Sequence, residues 1–317
     1  MTRVDLDRTI LLLGPTGAGK SDLAVELAAR FPLGIISVDS ALVYRGLDIG
    51  TAKPPRELRA RVPHHLIDIA DPGERYSVGR FLGDAAAAIA LVRAQGLVPL
   101  LAGGTMLYFR ALQSGLAPLP AGDAALRAEL DARAARDGWP ALHAELAARD
   151  PVAAARIGPN DRQRIQRALE VCLLTGQPLS ARQQQDLRGG TSAGTLKIVL
   201  APGDRAALAA RLAARFHAMM DAGFLAEVEA LFRRGDLDAD LPALRAVGYR
   251  QLWAHLAGQC PLDRAVEQGI IATRQLARRQ LTWLRAEPDA RWYDCLDPGN
   301  SGPISDAIEA WWCEGRL

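Results

Sequence analysis

The chain contains the stretch Gly14-Pro15-Thr16-Gly17-Ala18-Gly19-Lys20-Ser21. It fits the pattern G-x-x-x-x-G-K-S of a phosphate-binding loop. The apolar residues 9–13 before it predict a buried strand, and residues 21–29 after it predict a helix with Leu23 and Leu27 on one side. A strand, a glycine-rich turn and a helix form the context that such a loop requires. The sequence therefore predicts a site for phosphate or diphosphate rather than a chance glycine-rich turn.

The residue types of this loop suit an anion. Glycines let backbone N–H groups turn inward, and the start of a helix adds unpaired N–H groups and the positive end of the helix dipole. Lys20 is expected to reach a terminal phosphate, and the Ser21 hydroxyl is expected to bind Mg²⁺. The predicted diphosphate site is thus residues 14–21, with Ser21 as the metal ligand. The pattern identifies neither the molecule that carries the phosphates nor the reaction.

Composition sets the class of protein. The chain has 317 residues, of which 49% are hydrophobic and 23% charged, so it can bury a sizeable core. With a net charge of only +2, a nucleic-acid partner would have to bind local basic patches. Four scattered cysteines without a C-x-x-C pair indicate reduced thiols. The polar N-terminus and the absence of a long apolar run lead us to expect a cytoplasmic protein with no membrane partner.

Polar residues follow two further predicted strands. Residues 33–38 lead into Asp39, and residues 97–102 lead through two glycines to Thr105. Ligands of open α/β sheets bind beyond the carboxyl ends of the strands, so both side chains are expected to face the loop. Asp39 could organise a metal, act as a general base or cap a turn. Thr105 could offer its hydroxyl to a ligand and cap the next helix at the same time.

Other segments predict the remaining elements of the core. Residues 63–69 predict a strand on which His64 and His65 point to opposite faces, so they are expected to be structural rather than metal ligands. The other expected elements are helices at 76–95, 205–234 and 262–287 and strands at 196–201 and 291–295.

A proline- and glycine-rich linker at 115–122 separates the core from a helical region that extends to about residue 188. The fold prediction is therefore an α/β protein with a P-loop NTPase-like parallel sheet, helices on both faces and an inserted all-helical subdomain. We place the core at residues 1–118 and 191–317 and the insertion at 119–190.

The pattern of residues 160–170, in the insertion, predicts a helix with a polar face and an apolar face. The polar face holds Arg162, Gln163, Gln166 and Arg167, and the apolar face holds Ile165 and Leu169. Arginine and glutamine on one face suit a nucleic-acid surface. A merely solvated face fits the same pattern equally well.

A basic stripe is predicted on the long helix at 262–287. Spacings of four and seven residues bring Arg274, Arg278 and Arg285 to one side of this helix. Trp283 and Tyr249 lie near this stripe in the sequence pattern. Arginines with aromatic residues beside them fit phosphate contacts and base stacking. The alternative is an exposed helix whose Trp283 packs in the core.

Several motifs together resemble those of the tRNA dimethylallyltransferases, also called tRNA isopentenyltransferases. The motifs are the loop at 14–21, Asp39-Ser40-Ala41-Leu42-Val43-Tyr44, Gly50-Thr51-Ala52-Lys53-Pro54, His64-His65-Leu66-Ile67-Asp68 with Tyr76-Ser77, Gly103-Gly104-Thr105-Met106-Leu107-Tyr108, Asp161-Arg162-Gln163-Arg164, Val247-Gly248-Tyr249-Arg250-Gln251 and Arg278-Arg279-Gln280-Leu281-Thr282-Trp283-Leu284-Arg285. The chain departs from many members at Ala18, where serine is common, and at Leu42, where glutamine is common.

The resemblance implies transfer of a dimethylallyl group from dimethylallyl diphosphate to the exocyclic amine of the adenosine 3′-adjacent to the anticodon. In that reading Lys20, Arg215, the loop amides and Mg²⁺ on Ser21 stabilise the diphosphate that leaves. Asp39 accepts or orients the amine proton, and Thr105 positions the diphosphate and its reacting carbon. The adenine is expected to flip out of its stack.

The resemblance also implies contacts with the tRNA anticodon stem-loop. The expected contacts are Asp39, Ser40, Ala41, Leu42, Thr105, Arg127, Gln163, Arg164, Ile165, Gln166, Arg167, Arg245, Gly248, Tyr249, Arg250, Arg278, Arg279, Gln280, Trp283 and Arg285. We expect a monomer. Two other functions fit a phosphate loop with basic helices: a small-molecule kinase that binds ATP there, and a nucleotide-sensing RNA-binding protein.

Overall fold

The computed structural model describes residues 4–117, 119–184 and 194–314. These residues form two compact units. Residues 4–112 and 194–314 make up the larger unit, and the smaller unit contains the described residues from 113 to 184. The borders predicted for the insertion at 118 and 190–191 lie outside the described residues.

A single parallel sheet forms the centre of the larger unit. Its six strands are arranged in the order β3-β2-β4-β1-β5-β6, and every pairing is parallel. The strands are β1 (Thr9–Leu13), β2 (Leu33–Val38), β3 (His64–His65), β4 (Val98–Gly103), β5 (Thr195–Ala201) and β6 (Arg291–Asp294). This sheet confirms the predicted α/β class.

Helices cover both faces of the sheet. The larger unit contains α1 (Lys20–Arg30), α2 (Arg56–Arg61), α3 (Val78–Ala94), α4 (Met106–Ser114), α10 (Arg205–Asp221), α11 (Phe224–Phe232), α12 (Tyr249–Leu256), α13 (Leu262–Leu284) and α14 (Ser301–Glu314), with the end of α4 crossing into the smaller unit. In the part of the chain that the structure describes, no helix is long and apolar enough to span a bilayer.

Strand β1 shows why the core has two sides. All five of its residues are buried. Successive side chains of a strand point to opposite faces. Accordingly Leu11 and Leu13 pack with α3 and α4, and Ile10 and Leu12 pack with α1 and α14. A strand buried on both faces must be apolar throughout, which explains the continuous hydrophobic run before the loop.

The strand predicted at 63–69 is shorter than expected. Only His64 and His65 pair with β2, and Leu66 and Asp68 have φ of 63° and 59°, which a strand cannot contain. The Asp68 carboxylate accepts hydrogen bonds from Lys53 Nζ at 2.5 Å and from Arg59 Nη1 at 2.7 Å. These charge-assisted bonds hold the turned segment in place, which the apolar pattern alone could not indicate.

The helical stretch predicted at 205–234 consists of two helices and not one. It is divided into α10 and α11 at Gly223, whose φ of 97° only glycine adopts readily. The break lets α11 take its own direction and brings Glu227 to the segment that begins at Asp48.

Among the described residues of the smaller unit, all regular secondary structure is helical, as predicted. Its helices are α5 (Ala124–Asp137), α6 (Trp139–Arg149), α7 (Pro151–Ala154), α8 (Arg162–Thr175) and α9 (Leu179–Gln184). Leu130, Leu146 and Ile165 lie in its own apolar core. Glu170 is buried in this unit, where it accepts hydrogen bonds from Asp123 N at 2.8 Å and Arg127 Nε at 2.7 Å.

A pair of glycine substitutions tests the packing of β4 against β2. At Gly103 an added Cβ would clash with the carbonyl of Val38, so Gly103→Ala should lower the free energy of unfolding by about 1–3 kcal/mol. At Gly83, on α3, an added Cβ would point into open space beside its own helix. Gly83→Ala should therefore raise the free energy of unfolding by about 0.5–1 kcal/mol. Urea denaturation measures both, and equal effects would contradict the packing.

Candidate active site

The glycine-rich loop connects β1 to α1 at the carboxyl edge of the sheet. Gly17 and Gly19 have φ of 79° and 75°, in the left-handed region that favours glycine. Gly14 needs to be small for another reason, because a Cβ there would lie 2.6 Å from the carbonyl oxygen of Leu200 on β5. The three glycines are therefore required by the backbone path of the loop.

Two cations lie at this loop. Lys20 Nζ donates a hydrogen bond to the carbonyl of Pro15 at 2.7 Å, and Arg215 Nη2 donates one to Thr16 Oγ1 at 2.7 Å. Among the described residues, no carboxylate lies within ion-pair distance of Lys20 or Arg215. Both cations are held by neutral acceptors, so their charge is available to an anion.

The electrostatics of the two cations reflect their burial and proximity. Burial lowers the pKa of the Lys20 ammonium to about 8, while the Asp39 carboxylate opposes this shift and the Arg215 guanidinium adds to it. Burial, followed by repulsion from Arg211, also lowers the pKa of Arg215. An anion in the loop would relieve this repulsion and restore the pKa values.

Arg211 is a cation of this site that the sequence did not single out. It lies one helical turn before Arg215 on α10, and its Nη2 is 3.8 Å from the position of a Cβ on Gly19. The spacing of four residues was the available signal, because residues four apart share a helix face.

Asp39 caps a turn and also acts electrostatically on the two cations. Its Oδ1 accepts hydrogen bonds from Ala41 N at 2.8 Å and Leu42 N at 3.3 Å. Its charge opposes the lowering of the Lys20 pKa by burial, so the carboxylate acts electrostatically on the loop. Within the described residues Oδ2 has no hydrogen-bond partner. The cap and a reactive carboxylate are therefore compatible.

Thr105 joins the ends of β2 and β4. Its Oγ1 accepts a hydrogen bond from Ser40 N at 3.0 Å and donates one to Ser40 Oγ at 3.4 Å, and its N–H donates to Val38 O at 3.2 Å. Its carbonyl accepts from Tyr108 N at 2.9 Å as α4 begins. Thr105 thus lies at the same sheet edge as Asp39, and its role toward a diphosphate stays a prediction.

Of the fourteen RNA contacts predicted in the larger unit, seven are exposed, and Asp39, Ala41, Leu42 and Thr105 are half-buried. The exposed ones are Ser40, Arg245, Arg250, Arg278, Arg279, Trp283 and Arg285. Trp283 has 40% of its surface exposed, so the alternative that packs it in the core is wrong. The Arg110 guanidinium lies 5.8 Å from the centroid of its ring. In the smaller unit Gln163 and Arg164 are exposed.

Two predicted RNA contacts are corrected because their side chains are fully buried. Tyr249 packs edge-to-face on Phe224, with 4.9 Å between ring centroids, and its hydroxyl donates to Glu227 Oε1 at 2.5 Å. Burial and Glu227 raise the pKa of Tyr249 far above its ordinary value. Ile165 lies in the apolar core of the smaller unit. Neither side chain can stack on a base or contact a phosphate.

Several other predicted contacts are already bound within the chain. Arg167 donates to Glu170 Oε2 at 2.5 Å and to Pro120 O at 2.8 Å, and Arg127 also binds Glu170. Gln166 Nε2 donates to Asp131 Oδ1 at 2.8 Å. Gly248 and Gln280 are buried.

A motif between residues 48 and 54 has a structural basis that the sequence did not indicate. The Glu227 carboxylate accepts hydrogen bonds from the N–H groups of Asp48, Ile49 and Gly50 at 2.9, 2.7 and 3.1 Å. Buried Lys53 binds Asp48 Oδ1 at 2.6 Å. These bonds fix the segment that follows Asp39. Gly50 and Lys53 therefore help to set the backbone path of that segment.

The parallel sheet, the glycine-rich loop and the unpaired cations define a P-loop-like α/β protein with a candidate anion site at the carboxyl edge. A family model described as IPP transferase matches residues 42–287. The chain belongs to this family, which makes it a transferase.

Proteins and structures similar to this chain carry consistent names. A tRNA dimethylallyltransferase of Bordetella petrii is 57% identical over 94% of this chain and 96% of its own. One of Methylococcus capsulatus is 56% identical over 98% of this chain and 99% of its own. The crystal structure of the full-length tRNA isopentenylpyrophosphate transferase from Bacillus halodurans is 35% identical, with a TM-score of 0.70 over 96% of this chain and 97% of its own. A eukaryotic dimethylallyltransferase described as acting on tRNA is 26% identical, with a TM-score of 0.82 over 98% of this chain and 80% of its own.

The pKa of Lys20 generates a prediction about anion affinity. A group with a pKa of about 8 in the free protein loses its charge as the pH rises through that value. Affinity for pyrophosphate should therefore fall about tenfold from pH 7 to pH 9, because only protonated Lys20 attracts the anion.

Isothermal titration calorimetry at both pH values measures this change. Lys20→Arg is the control. Arginine stays charged over this pH range, so the side chain at position 20 no longer contributes to the pH dependence of the affinity. Protonation of pyrophosphate itself is common to both proteins and cancels in the comparison. Identical pH dependence in the two proteins would contradict the assignment.

Proposed function

We propose that the protein transfers a dimethylallyl group from dimethylallyl diphosphate to the exocyclic amine of the adenosine 3′-adjacent to the anticodon in tRNA. Membership of the IPP transferase family and relatives named tRNA dimethylallyltransferase support the reaction. The observation that carries the proposal is the pair of cations without carboxylate partners, Lys20 and Arg215, at a loop beside Asp39.

The proposed chemistry separates charge at the sheet edge. The bond between the allylic carbon and the diphosphate oxygen breaks, and its electron pair leaves with the diphosphate. Lys20 and Arg215 stabilise that negative charge without reorganisation, because the loop already holds them in place. The adenine nitrogen forms the new bond to carbon, and its proton passes to the Asp39 carboxylate. Thr105 serves to position the diphosphate.

Mg²⁺ is proposed as the cofactor, and the residues present fit it in a limited way. Ser21 is exposed in the first turn of α1, where its hydroxyl can bind a cation. In the described part of the chain no three His, Cys, Asp or Glu side chains cluster as metal ligands. Mg²⁺ commonly takes one or two protein oxygens and completes its shell with substrate phosphates and water. Bound there, it would supply additional charge stabilisation for the diphosphate.

The exposed arginines of α13 are proposed to bind the tRNA anticodon stem-loop. Arg274 and Arg278 are exposed on this helix, and Arg285 is exposed at its C-cap. Cationic side chains in a row neutralise phosphates, and the exposed Trp283 ring offers a stacking surface for an unpaired base. We propose that the protein acts as a monomer in the cytoplasm.

One assay tests the reaction directly. The protein is incubated with undermodified tRNA, Mg²⁺ and dimethylallyl diphosphate labelled in the prenyl group. Label should appear in the tRNA. It should be absent when the target adenosine is replaced by guanosine, because guanine carries a carbonyl oxygen on C6, where adenine carries its amine. Consumption of ATP with no label in the RNA would support a kinase instead. RNA binding that depends on a nucleotide, without product, would support a sensor.

Asp39→Asn tests the proton acceptor. Asparagine keeps an oxygen for the bonds to Ala41 N and Leu42 N, so the turn survives, but it cannot accept the amine proton. The single-turnover rate should fall about 10²–10⁴-fold. Pyrophosphate affinity should not fall, since the change removes a negative charge near Lys20 and Arg215. A rate equal to that of the wild type would exclude the base role.

A further inference from the structure

We infer that Gln280 is a positioning residue for the diphosphate loop and not a contact of the tRNA. Its side chain lies on the buried side of α13, with 9% of the residue exposed. Both ends of its carboxamide are used: Oε1 accepts a hydrogen bond from Thr16 N at 2.9 Å, and Nε2 donates one to Gly104 O at 2.8 Å. One N–H and one lone pair of the carboxamide remain unused, but the residue is buried, so they do not face a nucleic acid on the surface.

The carboxamide connects two segments of the sheet edge. Thr16 belongs to the loop after β1, and Gly104 belongs to the turn between β4 and α4. A Cβ at Gly104 would lie 2.6 Å from Gln280 Nε2, so glycine is required there for the amide to fit. Gln280 therefore holds these two turns at a fixed separation.

Thr16 transmits this constraint to a cation. Its N–H is bound to Gln280, and its hydroxyl accepts the hydrogen bond from Arg215 Nη2 at 2.7 Å. The Thr16 N–H is thus directed at Gln280 and not at an anion. In this arrangement Gln280 orients Thr16, and Thr16 orients Arg215, so the cradle is formed before a diphosphate arrives.

The same helix carries the proposed RNA surface on its other side. At about 100° per residue, Arg274, Arg278 and Arg285 lie roughly 120–160° around the helix from Gln280. One rigid element therefore braces the diphosphate loop and presents cations to the second substrate. This inference rests on the proposed function for the identity of both substrates, while the brace itself rests on the two hydrogen bonds.

Gln280→Met tests the brace, with Gln268→Met as the matched control. Methionine preserves length but forms neither hydrogen bond, and Gln268 is an exposed residue of the same helix. Calorimetry measures the Kd of pyrophosphate, and filter binding measures the Kd of an anticodon stem-loop RNA. Circular dichroism and thermal melting establish that each variant is folded.

The brace predicts a pyrophosphate Kd raised about tenfold in Gln280→Met, an unchanged RNA Kd, and wild-type values for Gln268→Met. Wild-type pyrophosphate affinity with weakened RNA binding would overturn the inference and make Gln280 an RNA contact. Wild-type values for both ligands would overturn it as well. Failure of the wild-type protein itself to bind pyrophosphate would instead count against the proposed function.

Gln280→Glu gives a signature that a merely structural role does not produce. A neutral carboxyl group retains one donor and one acceptor, as the carboxamide does, whereas an ionised one has no donor for Gly104 O. The ratio of variant to wild-type pyrophosphate Kd should therefore fall toward one as the pH is lowered from 8 to 5.5. The ratio for Gln280→Met should stay constant. A constant ratio for Gln280→Glu would overturn the brace, and this variant also serves if Gln280→Met does not fold.

Discussion

The burial of two cations without carboxylate partners, the Lys20 ammonium and the Arg215 guanidinium, is the constraint on which the rest of the site depends. At Lys20, repulsion from Arg215 adds to the effect of burial. Burial lowers both pKa values, and each cation is held by a neutral acceptor, the Pro15 carbonyl and the Thr16 hydroxyl respectively. A carboxylate in direct contact would satisfy the charges but would compete with any anionic ligand. Asp39 acts at longer range, which moderates the repulsion and leaves the loop open to a diphosphate.

The fold provides this arrangement because parallel strands end at one edge. The loop follows β1, Asp39 follows β2, and the Gly104 turn follows β4, and these three strands are neighbours in the sheet. Backbone contact between the turns is close, as the crowding at Gly14 and Gly103 shows. Helices α10 and α13 then add Arg215 and Gln280 from the far half of the chain. The chemistry is therefore assembled from remote segments on a rigid edge.

Some of the motifs in this chain that resemble those of the family carry reactive residues, and others set the path of the backbone. Gly50 and Lys53 belong to a segment that the half-buried Glu227 and Asp68 hold by hydrogen bonds. Tyr249 completes the same network through its hydroxyl. That network fixes the path of the chain beyond Asp39. An ordered set of motifs can thus identify a family even where many of its residues only shape the backbone around a few reactive ones.

The sequence by itself determined the loop, the strands beside it and the α/β class, because spacing and apolar runs are local properties of the chain. It also indicated the exposed basic stripe of α13 from helix periodicity. Only the tertiary structure decided that Tyr249 is buried, and that Gln280 binds Thr16 across a separation of 264 residues. Polar and aromatic side chains serve equally on a surface or in a packed interior. Their partners come from distant segments, so no local pattern could assign them.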